Sequence, residues 1–272
     1  MRADYQRQLD FYTPNPAHKV LIVGAGSIGS YIAFGLIRMG IENVTVIDYD
    51  NVENHNLPNQ FFQENEDETN TISKVIALKN TLNNFMPNTM AKVSFEYITE
   101  KIENCFERIQ NKRYTAIFLA VDDMDVRKWV WNKLTENEIY TNIVIDPRVG
   151  GLYANIFSIP MNSLEARNVY ARELWSNSEI EELPCTGKTI IDATFTVAGE
   201  CIGRFRQYVK DNLKVTWTFH DYSIGTSVIM HHFGMKEEKR TRSYVKRTRP
   251  APATTEPDNV EVTSNVPESE AL

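Results

Sequence analysis

The chain has 272 residues, of which 42% are hydrophobic and 24% are charged, and its formal net charge is −7. This length allows one substantial hydrophobic core, and the acidic balance argues against a nucleic-acid binder that acts through a generally basic surface. The polar first residues lack the apolar core of a secretory signal, and no apolar run is long enough to span a membrane, so we expect a cytoplasmic protein.

Residues 19–50 predict a strand, a turn, an amphipathic helix and a second strand. The turn carries Gly24, Gly26 and Gly29 in the spacing of a dinucleotide fingerprint. In that motif the first glycine permits a tight turn, the second lets a phosphate approach the backbone, and the third lets helix and strand pack closely. Asp48 ends the second strand, where a carboxylate can accept hydrogen bonds from a ribose. These features predict a nucleotide site without selecting the nucleotide, because NAD and FAD enzymes begin in the same way.

The next stretch, residues 51–70, is rich in Asn, Asp and Glu and predicts a long loop with room for one helical turn. A loop of this length inside a compact domain is usually functional. Apolar residues then recur at helical spacing over 71–86, alternate as in a strand over 86–99, and predict a second helix around 101–111.

An apolar strand over 114–121 leads directly into Asp122, Asp123 and Asp125, and a helix begins near Val126. Asp123 and Asp125 can both cap that helix, because a carboxylate at a helix start accepts hydrogen bonds from the first N–H groups. Capping by these two residues leaves Asp122 for another role.

The remaining predicted elements are a strand ending at Asp146, an exposed-face strand over 152–159, a polar surface crossover over 161–188 with a weak helix around 165–175, a strong helix from Thr189, and a closing hairpin of strands over 215–222 and 223–230. Strands that alternate with helices predict an α/β domain of the Rossmann-like, doubly wound type. We expect a mostly parallel sheet with a C-terminal antiparallel extension.

Three regions of different composition divide the chain. Residues 1–18 form an N-terminal segment, residues 19–235 form the nucleotide-binding domain, and residues 236–272 are charged and rich in proline, threonine and acids. Such a composition predicts a disordered tail.

The order of polar residues beyond the glycine turn resembles the ThiF/MoeB/HesA family, relatives of the ubiquitin-activating enzymes. That family places an Asp-x-Asp pair after the second strand, an Asn and an Arg-Gln in the next loop, a Lys further on, and an Asp after a later strand. The matching residues are Asp48-Tyr49-Asp50, Asn56, Asn59-Gln60, Lys74 and Asp122, and Tyr5-Gln6-Arg7-Gln8 is similar to the family's N-terminal Tyr-x-Arg-Gln. The resemblance covers about residues 4 to 235.

The resemblance implies ATP-dependent adenylation of a carboxylate, most simply the C-terminal glycine of a ubiquitin-like or sulfur-carrier protein, by a homodimer. Lys74 would meet the phosphates, Asp122 would hold Mg²⁺, and Arg7 would reach into the neighbouring subunit's site. The implied nucleotide-binding residues are Gly24, Gly26, Gly29, Asp48, Asp50, Asn56, Asn59, Gln60 and Lys74.

Each of these residues also has a structural interpretation. Lys74 would be a solvated lysine on its helix, Asp122 a helix cap, and Arg7 a surface arginine. Asn56 and Gln60 would be simple turn residues.

Asn59 departs from the family, because it stands where the family has the loop arginine. Loss of one charge-assisted contact to a phosphate costs on the order of 1.5 to 3 kcal/mol. Arg148, after the strand that ends at Asp146, is a candidate to compensate for the missing charge.

Cys185 lies in Pro184-Cys185-Thr186, a segment similar to the family's reactive-cysteine segment. A position before a helix and beside Lys188 favours the thiolate, which could receive the activated carboxyl group or exchange sulfur, whereas an inert apolar role is the alternative. With Cys105 and Cys201 the chain has three cysteines and no CxxC pair, so we expect neither a disulfide framework nor a structural zinc site.

Other functions stay open at this point. The glycine turn alone suits an NAD(P)-dependent oxidoreductase, and Asn59 suits a non-catalytic relative that binds a nucleotide or a partner. Within the adenylating class the target could instead be a small peptide or a modified tRNA base. The basic run over 236–249 keeps an RNA partner only as a remote alternative, since such tails are commonly solvated.

Overall fold

The computed structural model describes residues 4–63, 71–177 and 190–232, and within these residues eight strands form one mixed sheet. The strands are β1 (Lys19–Val23), β2 (Asn43–Ile47), β3 (Ser94–Ile98), β4 (Arg113–Leu119), β5 (Tyr140–Gly150), β6 (Tyr153–Pro160), β7 (Val215–Asp221) and β8 (Thr226–His232). Their order across the sheet is β3-β2-β1-β4-β5-β6-β7-β8. Strands β1 to β5 pair in parallel, and β6, β7 and β8 add in antiparallel fashion. The predicted parallel sheet with a C-terminal antiparallel extension is confirmed.

Helices cover both faces of this sheet. They are α1 (Ser27–Met39), α2 (Lys74–Phe85), α3 (Pro87–Met90), α4 (Phe106–Ile109), α5 (Met124–Thr135), α6 (Leu164–Ala171) and α7 (Ile191–Val209). Short 3₁₀ helices span Gln6–Gln8 and Asn54–Asn59. One hydrophobic core joins α1, α2, α3 and α7 to one face of the sheet, and a second core joins α4, α5 and α6 to the other. The doubly wound arrangement is therefore confirmed.

Helix α1 shows how the sequence positions the turn that precedes it. Ile28, Ile32 and Leu36 recur every four residues and are buried against the sheet, as expected for an amphipathic helix. Gly40 ends the helix in the left-handed conformation, at φ +101°, which glycine adopts without a steric penalty. Burial of one face of α1 fixes its N-terminus at the carboxyl end of β1.

Four details of the sequence-based prediction were wrong. The strand expected over 86–99 begins only at Ser94, because Pro87–Met90 form the short helix α3. The helix expected around 101–111 is reduced to Phe106–Ile109, with turns before it. The strand expected to end at Asp146 continues to Gly150. The strand over 152–159 is not an exposed-face strand, because β6 lies between β5 and β7 and both of its faces are covered by helices, which leaves Ile156 and Phe157 buried.

The N-terminal segment is attached to the C-terminal end of α1. Gln8 Nε2 donates to the carbonyl of Met39 at 2.7 Å, and the Tyr5 ring lies beside Gly40. Tyr12 is buried and packs against Phe205 of α7. These contacts place Arg7 at the end of α1 that is remote from the glycine turn.

Within the described residues, no helix is both long enough and apolar enough to cross a membrane.

Candidate active site

Several of the predicted site residues follow the carboxyl ends of the parallel strands, the edge at which open α/β sheets form a binding crevice. Strands β2 and β3 extend the sheet from one edge of β1, and the chain then returns to add β4 along the opposite edge of β1. Such a switch point is where open α/β sheets bind ligands. The glycine turn follows β1, Asp48–Asp50 follow β2, and Asp122 follows β4.

The glycine turn needs its glycines. Gly24 has φ +94°, and a Cβ there would collide with the carbonyl of Ala120 after β4, while a Cβ on Gly29 would collide with the Gly24 carbonyl. Gly26 differs, because no heavy atom lies within 4 Å of the position of its missing Cβ. The first turn of α1 also receives no side-chain cap. An open backbone at an uncapped helix start is suited to binding a phosphate.

Asp48 braces this turn. Its Oδ2 accepts from the Ala25 N–H at 2.6 Å and its Oδ1 accepts from the Asp50 N–H at 2.8 Å. Burial raises the pKa of Asp48, while these two hydrogen bonds and the nearby Lys74 act in the opposite direction. Because a carboxylate oxygen can accept more than one hydrogen bond, Asp48 can hold the turn and still accept a hydrogen bond from a ribose hydroxyl.

Lys74 is a buried lysine at the first position of α2, with 11% of its side chain exposed. Its Nζ lies 2.7 Å from Asp50 Oδ2, and its N–H donates to the Asp50 carbonyl at 2.9 Å. The interpretation as a solvated lysine on a helix surface is therefore wrong. A desolvated ammonium at the edge of the crevice is well placed to meet an anion.

Two buried polar atoms near the start of α2 lack a hydrogen-bond partner in the described part of the chain. One belongs to Ser73, the residue before Lys74, and the other to Gln60 in the preceding loop. Ser73 Oγ and Gln60 Oε1 are both inaccessible to solvent and have no hydrogen-bond partner among the residues described. Such atoms are uncommon in folded proteins and call for a ligand or water. Ser73 was missed by the sequence analysis, although its position immediately before α2 is a recognisable helix-start signal.

The turn after β4 confirms one of the two predicted caps of α5, because Asp123 caps this helix whereas Asp125 lies inside its first turn. Asp123 is the N-cap of α5, and its side chain accepts from the N–H groups of Asp125 at 2.8 Å and Val126 at 3.2 Å. Burial would raise the pKa of Asp123, but hydrogen bonds from Asn177 and from these N–H groups lower it. Asp122 stands exposed directly before this cap.

Tyr49 is an exposed phenol on which several carboxylates of this edge of the sheet act. The negative charge of Asp50, followed by burial and by the charges of Asp122, Asp48 and Asp123, raises the pKa of this exposed phenol. The mouth of the crevice is thus acidic around Tyr49, although the ammonium of Lys101 also lies 5.0 Å from the centroid of this ring. A divalent cation that arrives with a triphosphate would fit beside these carboxylates.

A magnesium ion fits this donor set. No group of three or more His, Cys, Asp or Glu side chains in the described ranges could hold a metal by itself. Mg²⁺ prefers one or two carboxylates together with phosphate oxygens and water, rather than an all-protein cage. The acidic mouth therefore suits a cation that arrives with a nucleotide.

The loop of Asn56, Asn59 and Gln60 lies over the first turn of α1, since the N–H of Phe61 donates to Ser30 Oγ at 3.0 Å. Asn56 Oδ1 accepts from the Glu53 N–H at 3.0 Å as part of a capping box. This contact gives Asn56 a turn-forming role.

Other predicted residues are not part of this crevice. Arg7 is exposed at the opposite end of α1, a helix of 13 residues and so about 20 Å long. Arg148 is held by contacts next to β5, since its Nε donates to Asp146 Oδ2 at 2.8 Å and its Nη1 donates to the Glu173 carbonyl at 2.6 Å, while its buried Nη2 has no partner among the described residues. Cys185 lies outside the described residues.

Comparisons with known proteins identify the family and the fold. The profile described as "ThiF family" matches residues 15–216. Ubiquitin-like modifier-activating enzyme 5 from Gallus gallus is 34% identical over 116 residues, which are 40% of this chain and 28% of that protein. Adenylyltransferase and sulfurtransferase MOCS3 from Dictyostelium discoideum is 33% identical over 108 residues, or 40% of this chain and 24% of that protein. The matched segments thus cover well under a third of either relative.

A solved structure has a similar fold. E. coli MccB with ATP superposes with a TM-score of 0.58 at 18% sequence identity, covering 80% of this chain and 63% of that chain. At this identity the likeness concerns the fold alone.

Proposed function

Because this chain belongs to the ThiF family, we propose that it uses ATP to adenylate a carboxylate on a protein or peptide partner. One observation carries the proposal above all others. The buried ammonium of Lys74 is paired with Asp50 after β2, and it acts on Asp48, the carboxylate that accepts from the Ala25 N–H of the glycine turn. The nicotinamide alternative rested on the glycine turn alone and receives no support from Lys74 or from the acidic mouth.

In this reaction a carboxylate oxygen attacks the α-phosphorus of ATP, and the bond from that phosphorus to pyrophosphate breaks. The products are an acyl-adenylate and pyrophosphate. The N–H groups around Gly26 and the start of α1 are available to the phosphates, Asp48 to the ribose, and Lys74 to the charge that develops on the leaving group.

We further propose that Asp122 holds Mg²⁺ with the phosphate oxygens. The ion would neutralise the triphosphate and stabilise the departing pyrophosphate. Support comes from the cluster of Asp48, Asp50, Asp122 and Asp123 around Tyr49, because so acidic a mouth favours a nucleotide that carries a divalent cation.

The substrate proposed is the C-terminal glycine of a ubiquitin-like or sulfur-carrier protein. The names of the two relatives, a ubiquitin-like modifier-activating enzyme and an adenylyltransferase and sulfurtransferase, support this class. Transfer of the activated carboxyl group to the Cys185 thiolate, with release of AMP, is the proposed second step.

We also propose a homodimer in which Arg7 serves the neighbouring site. Its place at the far end of α1 keeps Arg7 from the glycine turn of its own chain. Mixing Arg7→Ala with Asp122→Ala chains tests this arrangement, since each mixed dimer would contain one intact composite site. Activity of the mixture above that of either variant is expected, and no gain over the separate variants would contradict the shared site.

The adenylation step is tested by ATP–pyrophosphate exchange with a peptide ending in Gly-Gly. Asp122→Ala should reduce exchange by about tenfold or more, because the metal loses a charged ligand. Glu136→Ala is the matched control, since it removes an exposed carboxylate at the other end of α5. Equal exchange in wild type and Asp122→Ala would reject the metal role of Asp122.

A second candidate, a non-catalytic nucleotide-binding relative, is favoured by one specific observation. Asn59 lacks the positive charge of the family's loop arginine, and Arg148 is occupied by Asp146 and Glu173. Thermal stabilisation by ATP with no exchange for any Gly-Gly peptide would favour this candidate over the enzyme.

A further inference from the structure

An exposed serine on the last strand of the sheet contacts a buried histidine. Ser227 of β8 is directly paired with His220 of β7, and its Oγ lies 2.7 Å from His220 Nδ1. Directly paired residues on neighbouring antiparallel strands stand on the same face of the sheet. His220 is 4% exposed, whereas Ser227 is exposed. A hydroxyl that solvent can reach is therefore joined to an imidazole that solvent hardly reaches.

A carboxylate lies on the other side of this imidazole. Glu200 of α7 places its Oε2 3.0 Å from His220 Nε2, in a contact that is close but bent. The Oε1 atom of Glu200 accepts from Arg204 Nη2 at 2.6 Å and from Thr218 Oγ1 at 3.0 Å. Because these two donors engage Oε1, the other oxygen is turned to the histidine.

This carboxylate decides which ring nitrogen carries the proton of a neutral imidazole. The negative charge of Glu200 favours a proton on His220 Nε2, which leaves the lone pair of Nδ1 to accept from the Ser227 hydroxyl. A hydroxyl, an imidazole and a carboxylate in series are the arrangement by which a general base activates a serine nucleophile. In serine proteases Nε2 faces the serine, whereas here Nδ1 does, but the order of the three groups is the same.

The surroundings of Ser227 indicate the kind of substrate. The ring of Tyr222 stacks on that of His220, with centroids 5.7 Å apart and 3° between the planes, and so covers one face of the imidazole. Ile229 lies two residues beyond Ser227 on β8, on the same face, and is 44% exposed. Strand β8 contains no Asp, Glu, Lys or Arg. An apolar surface beside the hydroxyl suits an uncharged ester with a short hydrocarbon acyl chain.

We propose that Ser227, His220 and Glu200 form a second reactive site, which hydrolyses esters of short apolar acyl groups. Ser227 is the nucleophile and His220 is the general base. Glu200 is a positioning residue, because it acts through the imidazole and does not touch the substrate. The site lies on α7 and on the antiparallel part of the sheet, and the inference does not rest on the proposed adenylation.

The reaction has two steps. In the first, Ser227 Oγ attacks the carbonyl carbon of the ester while its proton passes to His220 Nδ1. The bond from that carbon to the alcohol oxygen breaks, and the departing alkoxide takes the proton from Nδ1, which gives an acyl-serine and an alcohol. In the second, water attacks the acyl-serine along the same proton path and releases a carboxylic acid and the free serine. The proton on Nε2 stays beside Glu200 throughout.

A fluorophosphonate probe tests the nucleophile in the full-length protein. Ser227 Oγ would displace fluoride from phosphorus and form a stable ester, which peptide mapping by mass spectrometry locates. At about pH 8, where an ordinary imidazole is neutral, we expect the label on Ser227. Ser223→Ala is the control, because Ser223 is an exposed serine in the turn between β7 and β8, and this variant should label as wild type does.

Release of p-nitrophenolate from p-nitrophenyl butyrate measures turnover in the same proteins. Ser227→Ala should lower the rate by about 100-fold or more, which is the usual contribution of a positioned general base and its nucleophile. Ser223→Ala should keep the wild-type rate. Ser227 is exposed, so its truncation leaves the core unchanged.

Glu200→Gln tests the positioning role of Glu200. Arg204 and Thr218 should hold the amide oxygen, so that the amide nitrogen faces His220 Nε2 and donates to it. The proton of the imidazole then moves to Nδ1, which can no longer accept from Ser227. We expect ¹⁵N NMR to report the ring proton on Nε2 in wild type and on Nδ1 in the variant, with labelling of Ser227 slower by about 100-fold. A merely structural role of Glu200 predicts lower stability without this change of tautomer.

Three results would overturn the proposal. One is labelling of wild type that is no faster at Ser227 than at Ser223. Another is release of p-nitrophenolate by Ser227→Ala at the wild-type rate. The third, which removes Glu200 from the site, is an unchanged tautomer and labelling rate in Glu200→Gln. None of these variants removes a residue of the nucleotide site, so the proposed adenylation is tested separately.

Discussion

The Nζ atom of Lys74 lies 2.7 Å from Asp50 Oδ2, and the backbone N–H of Lys74 donates to the Asp50 carbonyl. This double contact ties the first turn of α2 to the chain that leaves β2. It also places a buried cation, 11% exposed, beside a carboxylate that is 47% exposed. An arriving polyanion can therefore share the ammonium while Asp50 turns to solvent or to a metal ion.

Replacing Lys74 tests this relationship. Lys74→Met keeps most of the apolar stem and removes the charge, so ATP–pyrophosphate exchange should fall by about tenfold to a hundredfold. Stability should change little, because the partly exposed Asp50 can be solvated by water. Lys79→Met is the control on the same helix, where the ammonium lies over the Tyr97 ring. Similar losses in the two variants would contradict the assignment.

The buried charge network at Asp146 predicts a large effect on folding. Asp146 is fully buried and accepts hydrogen bonds from Arg127, Arg148 and Tyr170. Asp146→Asn leaves two buried guanidinium groups without their counter-charge and should lower the free energy of unfolding by about 3 to 5 kcal/mol. Urea denaturation measures this change. Asp221→Asn, at the end of β7, should lower the free energy of unfolding by well under half as much. Equal losses of unfolding free energy in the two variants would contradict the role of the buried charges.

The free energy of unfolding at acidic pH should depend on Glu200. Burial raises the pKa of Glu200, but hydrogen bonds from His220 and Arg204 outweigh it and lower the pKa to about 2, from an ordinary value of 4.5. A depressed folded-state pKa stabilises the protein above pH 4.5, and this contribution is lost as the pH falls from 4.5 towards 2. For a side chain that is 24% exposed the contribution is at most about 3 kcal/mol.

Urea denaturation of wild type and Glu200→Gln between pH 7 and pH 3 measures this contribution. The difference in unfolding free energy should be constant from pH 7 to about pH 5 and should shrink below it. A difference that stays the same down to pH 3 would show that the charge of Glu200 is not its source.

Thiol labelling separates the described cysteines from Cys185. Cys105 and Cys201 are both buried, and burial raises the pKa of Cys105 to about 11 and that of Cys201 well above its usual value. Since the thiolate is the reactive form, neither should react with a thiol reagent at pH 7 in the folded protein. The Cys185→Ser chain should therefore label only after denaturation, with two thiols. Rapid labelling of this folded variant would contradict the burial of Cys105 and Cys201.

The fold was largely predictable because its signals are local. A buried strand, a Gly24 turn and a helix with apolar residues every three or four positions follow from short stretches of sequence, and the antiparallel hairpin of β7 and β8 was expected from its two strands. The position of Asp123 as the cap of α5 was predictable for the same reason.

Contacts between distant segments were not predictable in this way. Asn177 meets Asp123 across more than 50 residues, and nothing in either neighbourhood signals the partner. Arg148 was expected at the site because β5 ends near the crevice, but a buried carboxylate two residues earlier binds it first. The strand β6 alternates like a surface strand, yet the strands on either side and two helical layers bury it.

Attachment of the N-terminal segment to the Met39 carbonyl has a consequence for any assay of this protein. Since α1 is about 20 Å long and Arg7 lies at its far end, the homodimer proposed above requires encounter with another copy before this arginine can act. Specific activity would then decline on dilution while circular dichroism stayed constant, and rate measurements at nanomolar protein would understate the turnover of the assembled enzyme.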